Sequence, residues 1–270
     1  MISIIIANFN NTKELDKTLF NISNQKISTK IEVIIVDNLS KDKIILCVNK
    51  YKGLISKFIY EKDNGIYEAW NKGLKYSKGK FIIFLGSGDK FTASGLRILL
   101  YQISKNPLLD WVTSRAFLYS RQGKIKIIGT KYFYKSFKKN MQVVHCGSIM
   151  KKTFIKKNNN YDTKFKTASD YDLILRSKNK IKTYFVNSVC ILMLEGGISQ
   201  SYLSLWEKFH VLNKNFPKKY LGNLLRLFKD IFFYFIKNLI LRSRKLLKII
   251  LEPILVKCAS SLYIGISLLI

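Results

Sequence analysis

The segment of residues 61–89, EKDNGIYEAWNKGLKYSKGKFIIFLGSGD, contains a helix signal, a strand signal and a loop in direct succession. Asp63 and Asn64 are residue types that favour helix N-caps, and they precede a helix-compatible run at 66–76. Gly79 follows at a place where a C-cap glycine is expected. The segment therefore predicts a helix that ends shortly before a strand.

The strand of this unit is predicted at residues 80–85, KFIIFL, which form an almost continuous apolar run. Such runs are typical of parallel strands that are buried on both faces of a sheet. The loop at 86–89, GSGD, follows directly and ends in a carboxylate. Because open α/β sheets bind ligands outside the carboxyl ends of their strands, this loop is a candidate ligand site.

The alternation of strand and helix extends over residues 1–105. Strands are predicted at 3–7, 31–36 and 58–60, and a further helix at 92–104. This pattern predicts a parallel sheet with right-handed crossover connections. No Gly-x-Gly-x-x-Gly motif follows the first strand and no Walker A motif occurs, which disfavours dehydrogenases and P-loop NTPases.

After Pro107 the pattern changes. Residues 111–119 and 124–128 predict a hairpin, and residues 143–150 predict an apolar strand that contains His145.

A helix is predicted at 168–177, with Asp170 in its first turn. Residues 1–216 are thus predicted to form one α/β domain, with a first half at 1–105 and a second half at 106–216.

Three carboxylates follow predicted strands of the first half, namely Asp37, Asp63 and Asp89. The carboxyl ends of parallel strands share one edge, so these side chains can converge on one ligand. Acids at such an edge suit hydrogen bonds to a base and ribose, and a divalent cation on a diphosphate. An Asp after a strand is also a common turn former, but three in a chain with only 17 acidic residues favour a site.

The net charge of +30 indicates an anionic partner, which can be nucleic acid, acidic lipid or a phosphorylated substrate. Nucleic acid is disfavoured because no recognisable binding motif occurs. The four cysteines lack a Cys-x-x-Cys spacing, which predicts reduced thiols and no zinc site. The N-terminal residues lack the basic region of a signal peptide, and this predicts a cytoplasmic catalytic portion.

Residues 217–270 carry ten basic and two acidic residues between apolar runs. No window reaches the roughly 18–20 uncharged apolar residues of a spanning helix. The interleaving predicts basic amphipathic helices on an anionic membrane surface, at the inner face of the cytoplasmic membrane. The alternative is that these helices pack on protein.

The chain resembles the inverting family 2 glycosyltransferases of the GT-A fold, and is most similar to their bacterial capsule, colanic-acid and O-antigen branch. The matching segments, in the family's order, are SIIIANFNN, EVIIVDNLSKD, residues 61–89 above, TASDYDLILR and GGIS. They extend from residue 1 to about residue 199. The resemblance implies a Rossmann-like α/β domain whose central sheet is mostly parallel and flanked by helices, with the basic helical extension behind it.

The resemblance also implies that the carboxyl ends of the strands bind a nucleotide-diphosphate sugar. Phe9 would stack on the base, Asp37 would accept a hydrogen bond from it, and Asp63 would lie beside it. Asn71 would lie on the helix face turned to the donor. The full implied donor set is Ala7, Asn8, Phe9, Asp37, Asp63, Asn71, Ser87 and Asp89.

For catalysis, Asp170 matches the family's base, which takes the proton from an acceptor hydroxyl as that oxygen attacks the anomeric carbon. From the residues alone, Asp170 can instead be an acid that complements the helix dipole. Asp172 points to a different face of the helix and is not chosen. His145 falls on the acceptor side in relatives, and a structural histidine is the alternative.

Residues 86–89 lie where the family carries an Asp-x-Asp metal motif, and only Asp89 remains of it. The resemblance implies Mg²⁺ or Mn²⁺ at Asp89. The implied function is transfer of one sugar, with inversion, to a lipid-linked saccharide in cell-surface polysaccharide biosynthesis. The loss of the motif suggests the alternative, a non-catalytic nucleotide-sugar-binding or scaffold subunit of an assembly complex.

Overall fold

The computed structural model describes residues 1–120, 123, 125–195, 201–236 and 238–240. It divides into two units, Met1–Pro217 and Lys218–Ile270. The predicted roles of the two parts and the division of the first unit into halves stay predictions. Parts of the predicted hairpin turn, the GGIS segment and the end of the tail lie outside the described residues.

Strands and helices alternate over most of residues 1–105 of the first unit, as the sequence predicts. The strands are β1 (Ile2–Asn8), β2 (Ile31–Asp37), β3 (Ile55–Tyr60), β4 (Phe81–Gly86), β5 (Lys90–Phe91), β6 (Trp111–Tyr119), β7 (Ile125–Ile128), β8 (Ile149–Lys151) and β9 (Thr183–Leu194). The helices are α1 (Thr12–Ser23), α2 (Ile44–Lys50), α3 (Ile66–Tyr76), α4 (Gly95–Lys105), α5 (Tyr134–Phe137), α6 (Lys152–Lys157), α7 (Ser169–Arg176) and α8 (Tyr202–Asn215).

The described strands form one sheet in the order β3-β2-β1-β4-β8-β6-β9-β5, with β7 paired to β6. Strands β3, β2, β1 and β4 are parallel to one another. Strand β8 is antiparallel to β4 and β6, whereas β9 is parallel to β6. The predicted GT-A-like α/β fold is thus confirmed. The ends of β3, β2, β1 and β4, here called the carboxyl edge, lie side by side.

Both faces of the sheet are buried, which explains the continuous apolar runs. In β1, Ile4 and Ile6 belong to one core cluster and Ile5 to the other, because side chains alternate along a strand. Leu15 and Leu19 of α1 lie in the first cluster. The second cluster includes Trp70 of α3.

Gly79 is not the C-cap of α3. The helix ends at Tyr76, and Ser77 follows as its C-cap with an extended backbone. A Cβ atom at Gly79 would lie 2.5 Å from the backbone nitrogen of Ser3. Glycine is therefore needed because the chain passes close to β1, and the prediction of a helix cap was wrong.

The strand predicted at 143–150 is also much shorter. Strand β8 begins only at Ile149, and His145 lies in the loop before it. Gly147 has a φ of +72°, and a Cβ atom there would lie 2.1 Å from the side chain of Ile191. The apolar residues Val143 and Val144 are buried in this loop, so their hydrophobicity reflects burial rather than strand pairing.

In the second unit, residues 220–236 and 238–240 are helical. One face carries apolar side chains that are each 60–69% exposed, here called the apolar stripe: Leu221, Leu225, Phe228, Phe232, Phe235 and Leu239. Their spacing of four and three residues places them on one side of a helix. Within the described residues, no helix combines the length and the apolar character needed to span a membrane.

Candidate active site

Asp37 ends β2 and is completely buried. Its Oδ1 accepts a hydrogen bond from the Ser40 backbone N–H at 2.7 Å. Its Oδ2 accepts from Asn8 Nδ2 at 2.6 Å and from Ser40 Oγ at 2.7 Å. Protein donors thus bond to both carboxylate oxygens, and Asp37 fixes the two loops that follow β1 and β2. The predicted hydrogen bond from a base stays a prediction.

Asn8 continues this arrangement toward β4. Its Oδ1 accepts a hydrogen bond from Ser87 Oγ at 2.6 Å, and the Ser87 N–H donates to the Ala7 carbonyl at 3.2 Å. Asn8, Asp37, Ser40 and Ser87 therefore form one connected set, here called the edge network. It ties together the carboxyl ends of β4, β1 and β2.

Asn11 is the N-cap residue of α1, and its side chain makes no capping hydrogen bond. Its Nδ2 instead donates to the Ser87 carbonyl at 3.3 Å. The residue thereby joins α1 to the loop at 86–89.

Phe9 and Asp63 lie at the same carboxyl edge. Phe9 is 60% exposed, which leaves its ring available for stacking. Asp63 is buried, its N–H donates to Asn38 Oδ1 at 2.8 Å, and its Oδ1 accepts from the Gly65 N–H at 2.9 Å. Burial raises the pKa of the Asp63 carboxyl, and the neighbouring charge of Asp37 adds to this effect. Their roles in binding a nucleotide stay predictions.

The Asp89 side chain bonds back to the first residue of its own loop, residues 86–89. Its Oδ2 accepts a hydrogen bond from the Gly86 N–H at 2.9 Å, and the carboxylate also bonds to the Cys146 thiol. Thr18 Oγ1 donates to the Asp89 carbonyl at 3.0 Å. Burial raises the pKa of the Asp89 carboxyl to about 6. The side chain therefore stabilises the turn.

This loop offers a divalent cation one protein carboxylate, that of Asp89. Gly86 and Gly88 offer no side chain where the family has carboxylates, and the Asp89 carboxylate is directed at Gly86 and Cys146. No group of three His, Cys, Asp or Glu side chains among the described residues is placed to hold a metal. Asp89 stabilises the turn in this structure, and its role as a ligand of Mg²⁺ or Mn²⁺ on a diphosphate stays a prediction.

Replacing Asp89 by Asn is expected to stabilise the protein at neutral pH. The folded-state pKa of about 6 lies above the ordinary value of 3.8, so the carboxyl's contribution to stability is full below pH 4 and is lost as the pH rises through 6. The difference between these two pKa values corresponds to a change in unfolding free energy of up to about 3 kcal/mol, because one pKa unit is worth about 1.4 kcal/mol.

Urea unfolding of both proteins from pH 4.5 to 7.5 tests this expectation. The stability difference between Asp89→Asn and the native chain should grow with pH and level off near pH 7. A variant that is less stable than the native chain at pH 7 would contradict the structural role. It would show that the ionised carboxylate is stabilised by its surroundings more than the amide is.

Asp170 lies in the first turn of α7, partly buried. Its Oδ1 accepts a hydrogen bond from the Tyr67 hydroxyl at 2.8 Å and another from the Tyr171 N–H at 2.8 Å. No donor among the described residues reaches its Oδ2. Among the described residues, this leaves one carboxylate oxygen of Asp170 available to accept a proton.

Asp172 has a different role from Asp170, as the sequence predicts. It is completely buried and forms ion pairs with Arg176 at 2.9 Å and Lys214 at 3.0 Å. Asn215 Nδ2 also donates to it at 3.0 Å. These contacts attach α7 to α8 and fix the helix that carries Asp170.

Glu207 of α8 is a further acid with a positioning role, and no motif marks it in the sequence. It is buried and accepts hydrogen bonds from the N–H groups of Lys166 and Thr167 at 2.7 and 2.6 Å. It thereby holds the segment that leads into α7.

His145 belongs to an aromatic cluster, whose other members are Tyr67, Trp70, Phe84 and Tyr161. Its ring is 5% exposed and stacks on Trp70 with a centroid distance of 5.2 Å. Its Nε2 lies 2.9 Å from the Tyr161 hydroxyl, and burial lowers the pKa of the ring. This geometry favours the structural alternative over the predicted contact with the acceptor.

Asn71 is already engaged by the protein. Its Nδ2 donates to the Tyr161 carbonyl at 2.8 Å, and its Oδ1 accepts from the Tyr161 N–H at 3.2 Å. The amide fixes Tyr161, and a contact of Asn71 with the donor stays a prediction. Tyr67 and Tyr161 were not identified from the sequence, where no motif distinguishes them from other core tyrosines.

A family model described as glycosyl transferase family 2 matches residues 3–157. The poly(ribitol-phosphate) beta-N-acetylglucosaminyltransferase TarP of Staphylococcus aureus is 28% identical over 249 residues, which cover 86% of this chain and 72% of TarP.

Two solved structures are similar in fold. S. aureus TarS 1–349 in complex with UDP-GlcNAc has a TM-score of 0.63 at 17% identity, and the mannosyltransferase PcManGT of Pyrobaculum calidifontis with GDP-Man and Mn²⁺ has 0.56 at 15%. The matches cover 79% and 80% of this chain. They span 65% and 63% of those two chains, slightly less than two thirds.

Proposed function

The chain belongs to glycosyltransferase family 2, and we propose that it transfers one sugar from a nucleotide-diphosphate sugar to a saccharide acceptor with inversion. One observation carries this proposal. Helix α3 begins at the carboxyl edge beside Asp63, and its first turn holds Asp170 through Tyr67. The same helix therefore joins the edge proposed to bind the nucleotide to the proposed base.

The proposed reaction is a single displacement. The acceptor hydroxyl lies against Asp170 Oδ2, which accepts the proton as the hydroxyl oxygen attacks the anomeric carbon from the face opposite the nucleotide. The bond between that carbon and the diphosphate oxygen breaks, and the nucleoside diphosphate leaves. The edge network holds the loops around the donor rigid, so that positioning lowers much of the barrier.

The donor proposed is a UDP-sugar, since TarS binds UDP-GlcNAc on a similar fold. The acceptor proposed is a lipid-linked saccharide of cell-surface polysaccharide biosynthesis. The apolar stripe and the net charge of +30 support this proposal, because an anionic membrane that carries the acceptor would attract the chain. The protein would then be peripheral at the inner face of the cytoplasmic membrane.

Nucleoside diphosphate release from a panel of UDP-, GDP- and dTDP-sugars, with detergent-solubilised bacterial glycolipids as acceptors, tests the proposed function. Mass spectrometry identifies the sugar added, and NMR of the product shows whether the anomeric configuration is inverted. Binding of a nucleotide sugar without any turnover would support the scaffold alternative instead.

The membrane proposal predicts that replacing Phe228 and Phe232 by Ser lowers affinity for anionic vesicles at least about tenfold, because two exposed apolar side chains are lost from the stripe. Phe20→Ser is the matched control, since Phe20 of α1 is equally exposed at 61%. Cosedimentation with phosphatidylglycerol vesicles at low and high salt measures both.

Binding that is independent of salt, or that falls equally in the Phe20→Ser control, would contradict this proposal. Equal binding to uncharged phosphatidylcholine vesicles would also contradict it, because the attraction would then not be to anionic lipid.

A further inference from the structure

Tyr67 makes the single side-chain hydrogen bond that reaches Asp170 among the described residues. Its hydroxyl donates to Oδ1 at 2.8 Å across 103 residues of sequence. The second donor to Oδ1 is the backbone N–H of Tyr171, also at 2.8 Å. Both donors therefore bond to the same oxygen, and this places Oδ2 as the one that can accept a proton.

The position of Tyr67 is itself fixed from several sides. The side chain is 5% exposed, stacks on Tyr161 at a centroid distance of 5.5 Å, and meets Trp70 edge-on at 5.5 Å. Tyr161 is held in turn by both ends of the Asn71 amide. The hydroxyl thus cannot leave Asp170 without disturbing the aromatic cluster.

The direction of the hydrogen bond is also defined. Burial raises the pKa of the Tyr67 hydroxyl well above its ordinary value, and the charge of Asp170 raises it further. The phenol stays protonated and is the donor. A carboxylate can otherwise turn about its last torsion and exchange its two oxygens, which broad torsional preferences allow.

We propose that Tyr67 is a positioning residue for the transfer reaction, which selects Asp170 Oδ2 as the oxygen that accepts the acceptor's proton. This inference rests on the proposed function, in which Asp170 is the base. Tyr67 acts through Asp170 and contacts neither donor nor acceptor. No motif marks it in the sequence, and its role follows from the geometry.

The test is a double-mutant cycle in turnover with Tyr67→Phe and Asp170→Asn. Tyr67→Phe should lower kcat by about 10- to 100-fold, the loss expected for a charge-assisted hydrogen bond, with the donor KM unchanged. In the Asp170→Asn background the same substitution should lower the residual rate less than twofold, because the oriented carboxylate is already gone. If Tyr67 had a purely structural role, Tyr67→Phe would lower kcat by the same factor in the native and the Asp170→Asn backgrounds.

The control is Tyr51→Phe. Tyr51 is also a buried tyrosine, whose hydroxyl donates to the Asp16 carbonyl at 3.3 Å, but it lies in the other core cluster. Its loss should leave kcat unchanged in both backgrounds. Thermal unfolding and binding of UDP-GlcNAc, measured for every variant, establish that Tyr67→Phe is folded and binds the donor.

The outcomes separate this inference from the proposed function. Full turnover of Tyr67→Phe together with an inactive Asp170→Asn variant overturns the inference alone. Full turnover of Asp170→Asn overturns the proposed mechanism. Absence of turnover in the native chain with every donor overturns the proposed function. The inference about Tyr67 fails in both cases. A lower donor affinity in Tyr67→Phe would also overturn it, because Tyr67 would then act in binding.

Discussion

Replacing Asp170 by Asn is expected to lower kcat by about 10³-fold while donor affinity and folding are kept. The amide cannot accept the proton, but its oxygen can still accept the hydrogen bonds of Tyr67 and the Tyr171 N–H. The loss therefore concerns proton transfer and not the local structure. Nucleoside diphosphate release, donor titration by calorimetry and thermal unfolding measure the three quantities separately.

Asp172→Asn is the matched control on the same helix. Asp172 is completely buried and pairs with Arg176 and Lys214, so its replacement should cost stability by about 3 kcal/mol and leave kcat of the folded protein nearly unchanged. If Asp170→Asn retained native turnover, the assignment of the base to Asp170 would be wrong.

Replacing Asp37 by Asn is expected to weaken donor binding at least about tenfold and to lower the free energy of unfolding by about 1–3 kcal/mol. One acceptor oxygen becomes a donor, which then faces the N–H and O–H groups of Asn8 or Ser40. The loops after β1 and β2 lose their common anchor, and the donor site loses its shape. Calorimetric titration with UDP-GlcNAc and urea unfolding measure the two effects.

Glu32→Gln separates the two effects. Glu32 is a buried carboxylate of the same strand, it accepts hydrogen bonds from Ser3 Oγ and the Lys78 N–H, and it lies at the opposite end of β2. This variant should lose stability to a similar degree and keep native donor affinity. Equal donor affinities of Asp37→Asn and Glu32→Gln would show that the edge network has no role in binding.

The alternation and the position of most strands and helices were predictable because burial on both sheet faces leaves a direct mark in the sequence. Helix α3 has the predicted bounds, and β6 begins and ends as predicted. The loop containing His145 was mistaken for a strand because an apolar run reports burial, not hydrogen bonding. The role of Gly79 was likewise not predictable from the local pattern. Its small size allows a contact with β1, which is 76 residues away in sequence.

The meeting of the acidic strand ends at one sheet edge was predictable, but the contacts of their side chains were less so. Asp37, Asp63 and Asp89 follow strands that do end at one edge. Their hydrogen-bond partners depend on loop conformations that no local pattern specifies, and Asp89 turns inward because Gly86 presents its N–H there. Ser40, three residues after Asp37, had the spacing of a local turn. Tyr67 had no signal, because its partner lies 103 residues further on.

The position of β1 between β2 and β4 has a consequence for folding. Residue 2 pairs with residue 31 on one side and with residue 81 on the other, so the central strand is complete only after a long stretch has been synthesised. Non-local parallel pairing is intrinsically slow, and it leaves apolar strand edges exposed to other chains in the meantime. Assembly of the edge network is therefore a late event, and the yield of active protein should depend on how quickly the nascent chain is protected from aggregation.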